Sequence, residues 1–162
     1  MSADLRIEID IGTQRLRLLR GDEVLREYSV STAKNGAGER MDTGCTPRGR
    51  HIVAEKIGES AAPGSVFVGR RPTGEIYSPE LREQNPARDW ILTRILWLSG
   101  TEPGRNQGGE VDTYNRYIYI HGAPDDVPMG TPGSAGCIRM RNADVIELFD
   151  RVPPGTPVLI RE

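Results

Sequence analysis

The residues of this 162-residue chain best suited to covalent chemistry are a thiol and an imidazole close together in sequence. His121 closes the stretch Tyr117-Ile118-Tyr119-Ile120-His121-Gly122, and sixteen residues later Cys137 stands in Ser134-Ala135-Gly136-Cys137-Ile138-Arg139-Met140. A cysteine attacks as the thiolate, and at an ordinary pKa of about 8.5 most of it is protonated at neutral pH. It therefore needs a cationic or basic neighbour, and an imidazole within hydrogen-bond reach meets that need. The bland alternatives are a small buried hydrophobe for the cysteine and a hydrogen-bonded strand-end residue for the histidine.

The residues between the two explain why they should meet. Tyr117 to Ile120 has the β-branched and aromatic content of a strand that ends at His121. Ala123 to Gly133 is turn material, with Pro124, Asp125, Asp126, Pro128, Gly130, Pro132 and Gly133, and can bring Cys137 back beside His121. Gly136 permits backbone conformations closed to other residues and leaves its N–H uncovered by a side chain. Consecutive N–H groups at Gly136 and Cys137 are thus expected to form an oxyanion hole.

His121-Gly122 followed by Ser134-x-Gly136-Cys137-Ile138-Arg139-Met140 resembles the signature of the L,D-transpeptidase catalytic domain, the YkuD-type peptidoglycan enzymes. Tyr28-Ser29-Val30-Ser31-Thr32 and Thr46-Pro47-Arg48-Gly49-Arg50-His51-Ile52 are similar to further segments of that family, so the resemblance runs from about Leu5 to Ile160. It implies a β-rich catalytic fold with Cys137 as nucleophile and His121 as base, and with Gly122 and Gly136 completing the catalytic motif. Arg139 and Ser134 are the substrate-binding positions it implies; a guanidinium binds a carboxylate bidentately. The substrate implied is a peptidoglycan stem peptide: a tetrapeptide, muropeptide or nucleotide-linked precursor. Cys137 would expel its terminal D-alanine to leave a thioester, and carbapenems would acylate the same thiol. Water as second nucleophile gives an L,D-carboxypeptidase, and an amine acceptor gives 3-3 cross-links. Ala135 stands where the family usually has histidine, which opens a further alternative, a non-catalytic binder of the same peptides.

Composition narrows the remaining classes. Twenty-one basic against 23 acidic residues give a net charge of −2, with no basic stripe, which argues against a nucleic-acid partner. No cofactor fingerprint appears, and His51, His121, Cys45 and Cys137 lack the spacing of a metal site. Cys45 and Cys137 could pair, but a reactive thiol favours two free cysteines. No apolar run is long enough to span a membrane. Asp4, Arg6, Glu8 and Asp10 alternate with Leu5, Ile7 and Ile9, a strand in place of an export signal, so a cytoplasmic carboxypeptidase acting in muropeptide recycling is expected.

Glycine and proline make up roughly a fifth of the chain, against an average near 12%, which favours turns over long helices. The first three predicted strands, from Leu5, from Arg15 to Arg20 and from Val24 to Ser31, form a meander. Thr32 to Gly49 is a long polar loop. Strands follow at Arg50 to Ile57, Ser65 to Arg70 and, most apolar and so central, Ile91 to Leu98. Ser78-Pro79-Glu80 starts a helix of at most two turns before Pro86. Asn142 is expected to cap a helix with Val145, Ile146, Leu148, Phe149 and Val152 on one face, and Val158 to Ile160 is a last strand. With neither linker nor repeat, residues 1–162 read as one catalytic domain, mainly β, a sandwich or barrel-like sheet with one or two short helices.

Overall fold

The computed structural model describes residues 4–162. Ten strands and two helices follow in the order β1 (Leu5–Asp10), β2 (Arg15–Arg20), β3 (Glu23–Ser29), β4 (Gly49–Ile57), β5 (Ser65–Val68), β6 (Arg71–Ile76), α1 (Pro79–Gln84), β7 (Ile91–Gly100), β8 (Tyr119–Gly122), β9 (Ile138–Met140), α2 (Asn142–Arg151) and β10 (Pro157–Arg161). The mainly β class with two short helices agrees with the sequence. The sheet is mixed, running β3-β2-β1-β10-β4-β7-β5-β6, with β8 and β9 branching from β7. Only β1–β10 and β8–β9 pair in parallel.

Alternation explains the layers. Leu5, Ile7 and Ile9 of β1 and Leu16 and Leu18 of β2 turn one face inward, where Val145, Leu148 and Phe149 of α2 cover them together with Val158 and Ile160. Strand β7 is buried along almost its whole length, as its continuous apolar run requires of a strand covered on both faces. It pairs with β4, β5 and β8, and so carries the branch that holds the β8–β9 pair.

Three local expectations are corrected. The strand before the histidine starts at Tyr119, because Tyr117 adopts φ +57°, and His121 lies inside β8 instead of ending it. Arg71–Ile76, unassigned from sequence, is a strand: Pro72 and Gly74 are tolerated because β6 is the sheet's exposed edge. Asn142 does not cap α2. Arg141 holds the cap position without a side-chain bond, and Asn142 is the first helical residue.

Candidate active site

Strands β8 and β9 lie side by side in parallel, with Ile120 opposite Ile138 and His121 opposite Arg139. Side chains alternate across a strand, so Tyr119 and His121 share a face with Cys137 and Arg139. The four line one cleft of about 340 Å³, joined by Arg116 and Tyr117 from just before β8 and by Arg70 and Asp89 from distant parts of the chain. A more voluminous groove, about 670 Å³ beside α1 and lined by Tyr77, Arg82 and Asp126, contains neither thiol nor imidazole.

The sulfur of Cys137 sits between a donor and an acceptor: Tyr119 N–H donates to it at 3.3 Å, and its own S–H donates to Tyr117 O at 3.4 Å. The resting proton is therefore directed at a carbonyl and not at His121. Burial pushes the thiol up to about 12; the Tyr119 N–H bond and the Arg139 and Arg116 guanidiniums act in the opposite sense.

His121 is buried, and its Nδ1 lies 2.6 Å from Gly122 O. A carbonyl only accepts, so Nδ1 carries the hydrogen and Nε2 keeps its lone pair in the neutral ring. Burial lowers the imidazole pKa, opposed by the bond to Gly122 and by Asp89. Thiol and imidazole are thus both biased toward their neutral forms, and transfer of the proton between them has to accompany attack on a bound acyl group.

Behind His121 the backbone is fixed by close approach. A Cβ on Gly122 would lie 2.7 Å from Leu92 O and would also collide with Asn142 Oδ1. Opposite it β7 bulges: Leu92 pairs with Gly122 and Ile95 with His121, leaving Thr93 and Arg94 extra. Thr93 takes φ +77°, rare for a β-branched residue, and its hydroxyl donates to Asn142 Oδ1 at 2.6 Å while Asn142 Nδ2 donates to Ala123 O at 3.0 Å. Bulges beside a site commonly re-aim a side chain.

One sequence expectation about the thiol loop is corrected. Gly136 does need its freedom, with φ +132° and a Cβ position 3.2 Å from both Cys45 O and Ile118 Cδ1. Its N–H, however, donates to Ser134 Oγ at 3.2 Å and its carbonyl accepts from Thr46 Oγ1 at 2.8 Å, so it is not a free oxyanion donor. Ser134, expected to bind substrate, lines the cleft with little of its surface exposed, and its hydroxyl donates to Cys137 O at 2.5 Å. It braces the loop from within. Arg139 does face the cleft, ion-paired to Asp89 at 3.3 Å and bonded to Gly133 O.

Sequence reasoning missed Arg70, Asp89, Arg116, Tyr117 and Tyr119. The tyrosines carried a signal, being spaced by two from one another and from His121. The others arrive through the tertiary fold. Arg116 donates to Cys45 O at 2.7 Å and Gly38 O at 3.1 Å, holding the 32–48 loop against the cleft. Cys45 and Cys137 are both free, and among the described residues no three His, Cys, Asp or Glu side chains gather as metal ligands. No helix of the described residues is long and apolar enough to cross a membrane.

Known proteins are similar to this chain in sequence and in fold. A family model of the L,D-transpeptidase catalytic domain, YkuD type, matches residues 4–160. The chain is 44% identical over 99 residues to the L,D-transpeptidase-named YkuD of Bacillus subtilis (strain 168), covering 61% of this chain and 49% of that one. With its namesake in Bacillus licheniformis it shares 42% identity over 155 residues, 96% of this chain and 64% of the relative. It thus spans about half to two thirds of the lengths of these relatives. In fold it is similar to an L,D-transpeptidase from Mycobacterium smegmatis, at TM-score 0.62 and 22% identity over 98% of this chain and 59% of that one. It is likewise similar to an L,D-transpeptidase solved with imipenem, at TM-score 0.59 and 21% identity over the same shares. The family match over nearly the whole chain and the identity to the Bacillus licheniformis relative establish that this chain belongs to the L,D-transpeptidase catalytic domain family.

Proposed function

We propose that the chain is a cysteine-dependent L,D-carboxypeptidase that removes the terminal D-alanine of a peptidoglycan tetrapeptide through a thioester on Cys137. The observation that carries this reading is the shared face of β8 and β9, which brings Cys137, His121 and Arg139 into one cleft. The sulfur attacks a bound acyl carbonyl as the S–H bond, turned away from Tyr117 O, gives its proton to the free lone pair of His121 Nε2. Gly122 O, bonded to Nδ1–H, holds the ring in that tautomer and steadies the imidazolium that forms. The C–N bond to D-alanine breaks as the imidazolium protonates the leaving amine, and the same imidazole then deprotonates the water that hydrolyses the thioester. Tyr119 N–H, already on the sulfur, favours the thiolate as it develops. Arg139 is placed to hold a substrate carboxylate.

Water as the acceptor follows from the soluble substrate pool of this reading, in which water far outnumbers any acceptor amine. Soluble muropeptides or nucleotide-linked precursors in the cytoplasm make up that pool, and two free cysteines fit a reducing compartment. Incubation with a tetrapeptide, alone and with a second stem peptide, should give tripeptide and D-alanine by mass spectrometry in both cases. Accumulation of 3-3 dimers would make cross-linking the reaction instead. A carbapenem should add one drug mass to the wild type and none to Cys137→Ala, and recovery of the native protein outside the cytoplasmic fraction would overturn the compartment.

A further inference from the structure

The wall that Arg139 and Asp89 form has a second side. Both residues line the thiol cleft, and both also line a smaller chamber of about 120 Å³ that contains neither Cys137 nor His121. Arg82 of α1 and Arg88 of the loop before β7 supply its other charges, so three guanidiniums meet one carboxylate there in a protein of net charge −2. Each guanidinium has a counter-ion, yet the pairs leave donors over. Arg82 reaches Asp126 at 2.7 Å through Nη1, Arg88 reaches Glu75 at 2.8 Å through Nη1, and Arg139 gives Nη2 to Asp89 and Nη1 to Gly133 O. A guanidinium carries five N–H donors, and neither Asp126 nor Glu75 belongs to the chamber's lining.

Trp90, which lines the same chamber, supplies a second and independent observation. The residue is only 6% exposed, and its ring packs beside Val66 and Leu92, with Tyr77 edge-on at 5.2 Å and the Arg88 guanidinium 4.9 Å from its centroid. Its indole Nε1–H is buried and has no hydrogen-bond partner among the described residues. An indole nitrogen only donates, and a buried donor without an acceptor is costly to keep. The side chains of Val66 and Leu92 offer it no acceptor; the chamber is the polar space that the ring borders.

We propose that this chamber is a binding site for a compact tetrahedral dianion of the phosphate class. The inference goes beyond the proposed reaction and does not depend on it. Three guanidiniums less one carboxylate leave the lining two charges positive, which a dianion neutralises and a single carboxylate does not. The donors come from α1, from the loop before β7, from β9 and from the indole ring, so they approach from several directions. Such a set matches the oxygens of a tetrahedron better than the two coplanar oxygens of a carboxylate, and guanidinium forks pair with phosphate oxygens bidentately. The side chains of Arg139 and Arg88 are 20% and 27% exposed, so their attraction for an anion is less screened than at an open surface.

Titration calorimetry of the whole chain with inorganic phosphate, the ionic strength held constant with chloride, tests this. Wild type should show one saturable site with a Kd of about 1 mM or tighter, and acetate and D-alanine should bind more weakly than phosphate. Arg88→Gln and Trp90→Phe, which remove a charge and a single N–H while keeping most of each side chain, should each weaken phosphate binding roughly 10-fold or more, the worth of a hydrogen bond to a charged group. Arg70→Gln, altered in the thiol cleft, should bind phosphate as wild type does. The absence of a saturable site, or wild-type affinity in either Arg88→Gln or Trp90→Phe, overturns the assignment. So does loss of binding in Arg70→Gln, which would put the anion beside Cys137, and so does acetate binding as tightly as phosphate, which would make the chamber a carboxylate pocket. The comparison of phosphate with acetate on wild type remains decisive even if a variant folds poorly.

Discussion

At the scale of single residues, the account turns on a thiol and an imidazole that rest neutral. Burial holds Cys137 up to about 12 and depresses His121, so neither partner is charged before substrate arrives. Alkylation of Cys137 by iodoacetamide should therefore climb steadily with pH through about 9. A plateau at neutral pH would instead show a preformed thiolate–imidazolium pair. His121→Ala should slow D-alanine release by roughly 10²- to 10⁴-fold, the usual contribution of a general base, with the effects of His121→Ala and Cys137→Ala far from additive. Cys45→Ser should retain most activity, because Cys45 meets Arg116 through its backbone carbonyl. The pair itself was legible in sequence because both members belong to one strand–turn–strand segment. The Gly136 N–H was misread as free because in the closed loop it bonds to the Ser134 hydroxyl. Arg70 and Asp89 left no local trace, being brought in from a hairpin tip and a separate loop, and Arg116, although next to Tyr117, gave no sign of its bonds to Gly38 O and Cys45 O.

At the scale of elements, the position of His121 depends on the bulge in β7 and on its tie to α2. Asn142→Ala removes the acceptor for Thr93 Oγ1 and the donor to Ala123 O. It should cost about 1–3 kcal/mol by leaving polar groups unpaired, read from urea unfolding. It should also lower kcat more than it changes KM, whereas a purely structural loss would leave kcat per folded molecule intact. Gly122→Ala should be worse, since its Cβ has backbone in its way. Elements with strong local signals were readable: the β1–β3 meander, the apolar β7, and α1, whose Ser78 hydroxyl accepts from Leu81 N–H as the Ser-Pro start predicted. Those set by tertiary contacts were not. Strand β6 has an edge strand's composition, which sequence alone cannot tell from a turn. Asn142 looked like a cap because its amide suits one, yet that amide is used between elements.

At the scale of the molecule, a second histidine sets the response to acid. His51 is buried between Gly49 O at 3.0 Å and Thr113 Oγ1 at 2.9 Å. Burial lowers its pKa to about 4 in the fold, against about 6.5 when unfolded. Between these values the unfolded chain takes up a proton that the native state refuses, so stability falls as pH drops from about 6.5 toward 4, by up to roughly 3 kcal/mol. Melting temperatures across that window should slope downward with acid in wild type and less steeply in His51→Phe; equal slopes would contradict the assignment. The network that His51 anchors lies apart from the cleft, so its loss tests the fold and not the chemistry. The chemistry is tested most directly by mass spectrometry of a peptidoglycan tetrapeptide incubated with wild type and with Cys137→Ala. The account predicts tripeptide and free D-alanine with wild type and intact tetrapeptide with the variant, whereas D-alanine release undiminished in Cys137→Ala would contradict it.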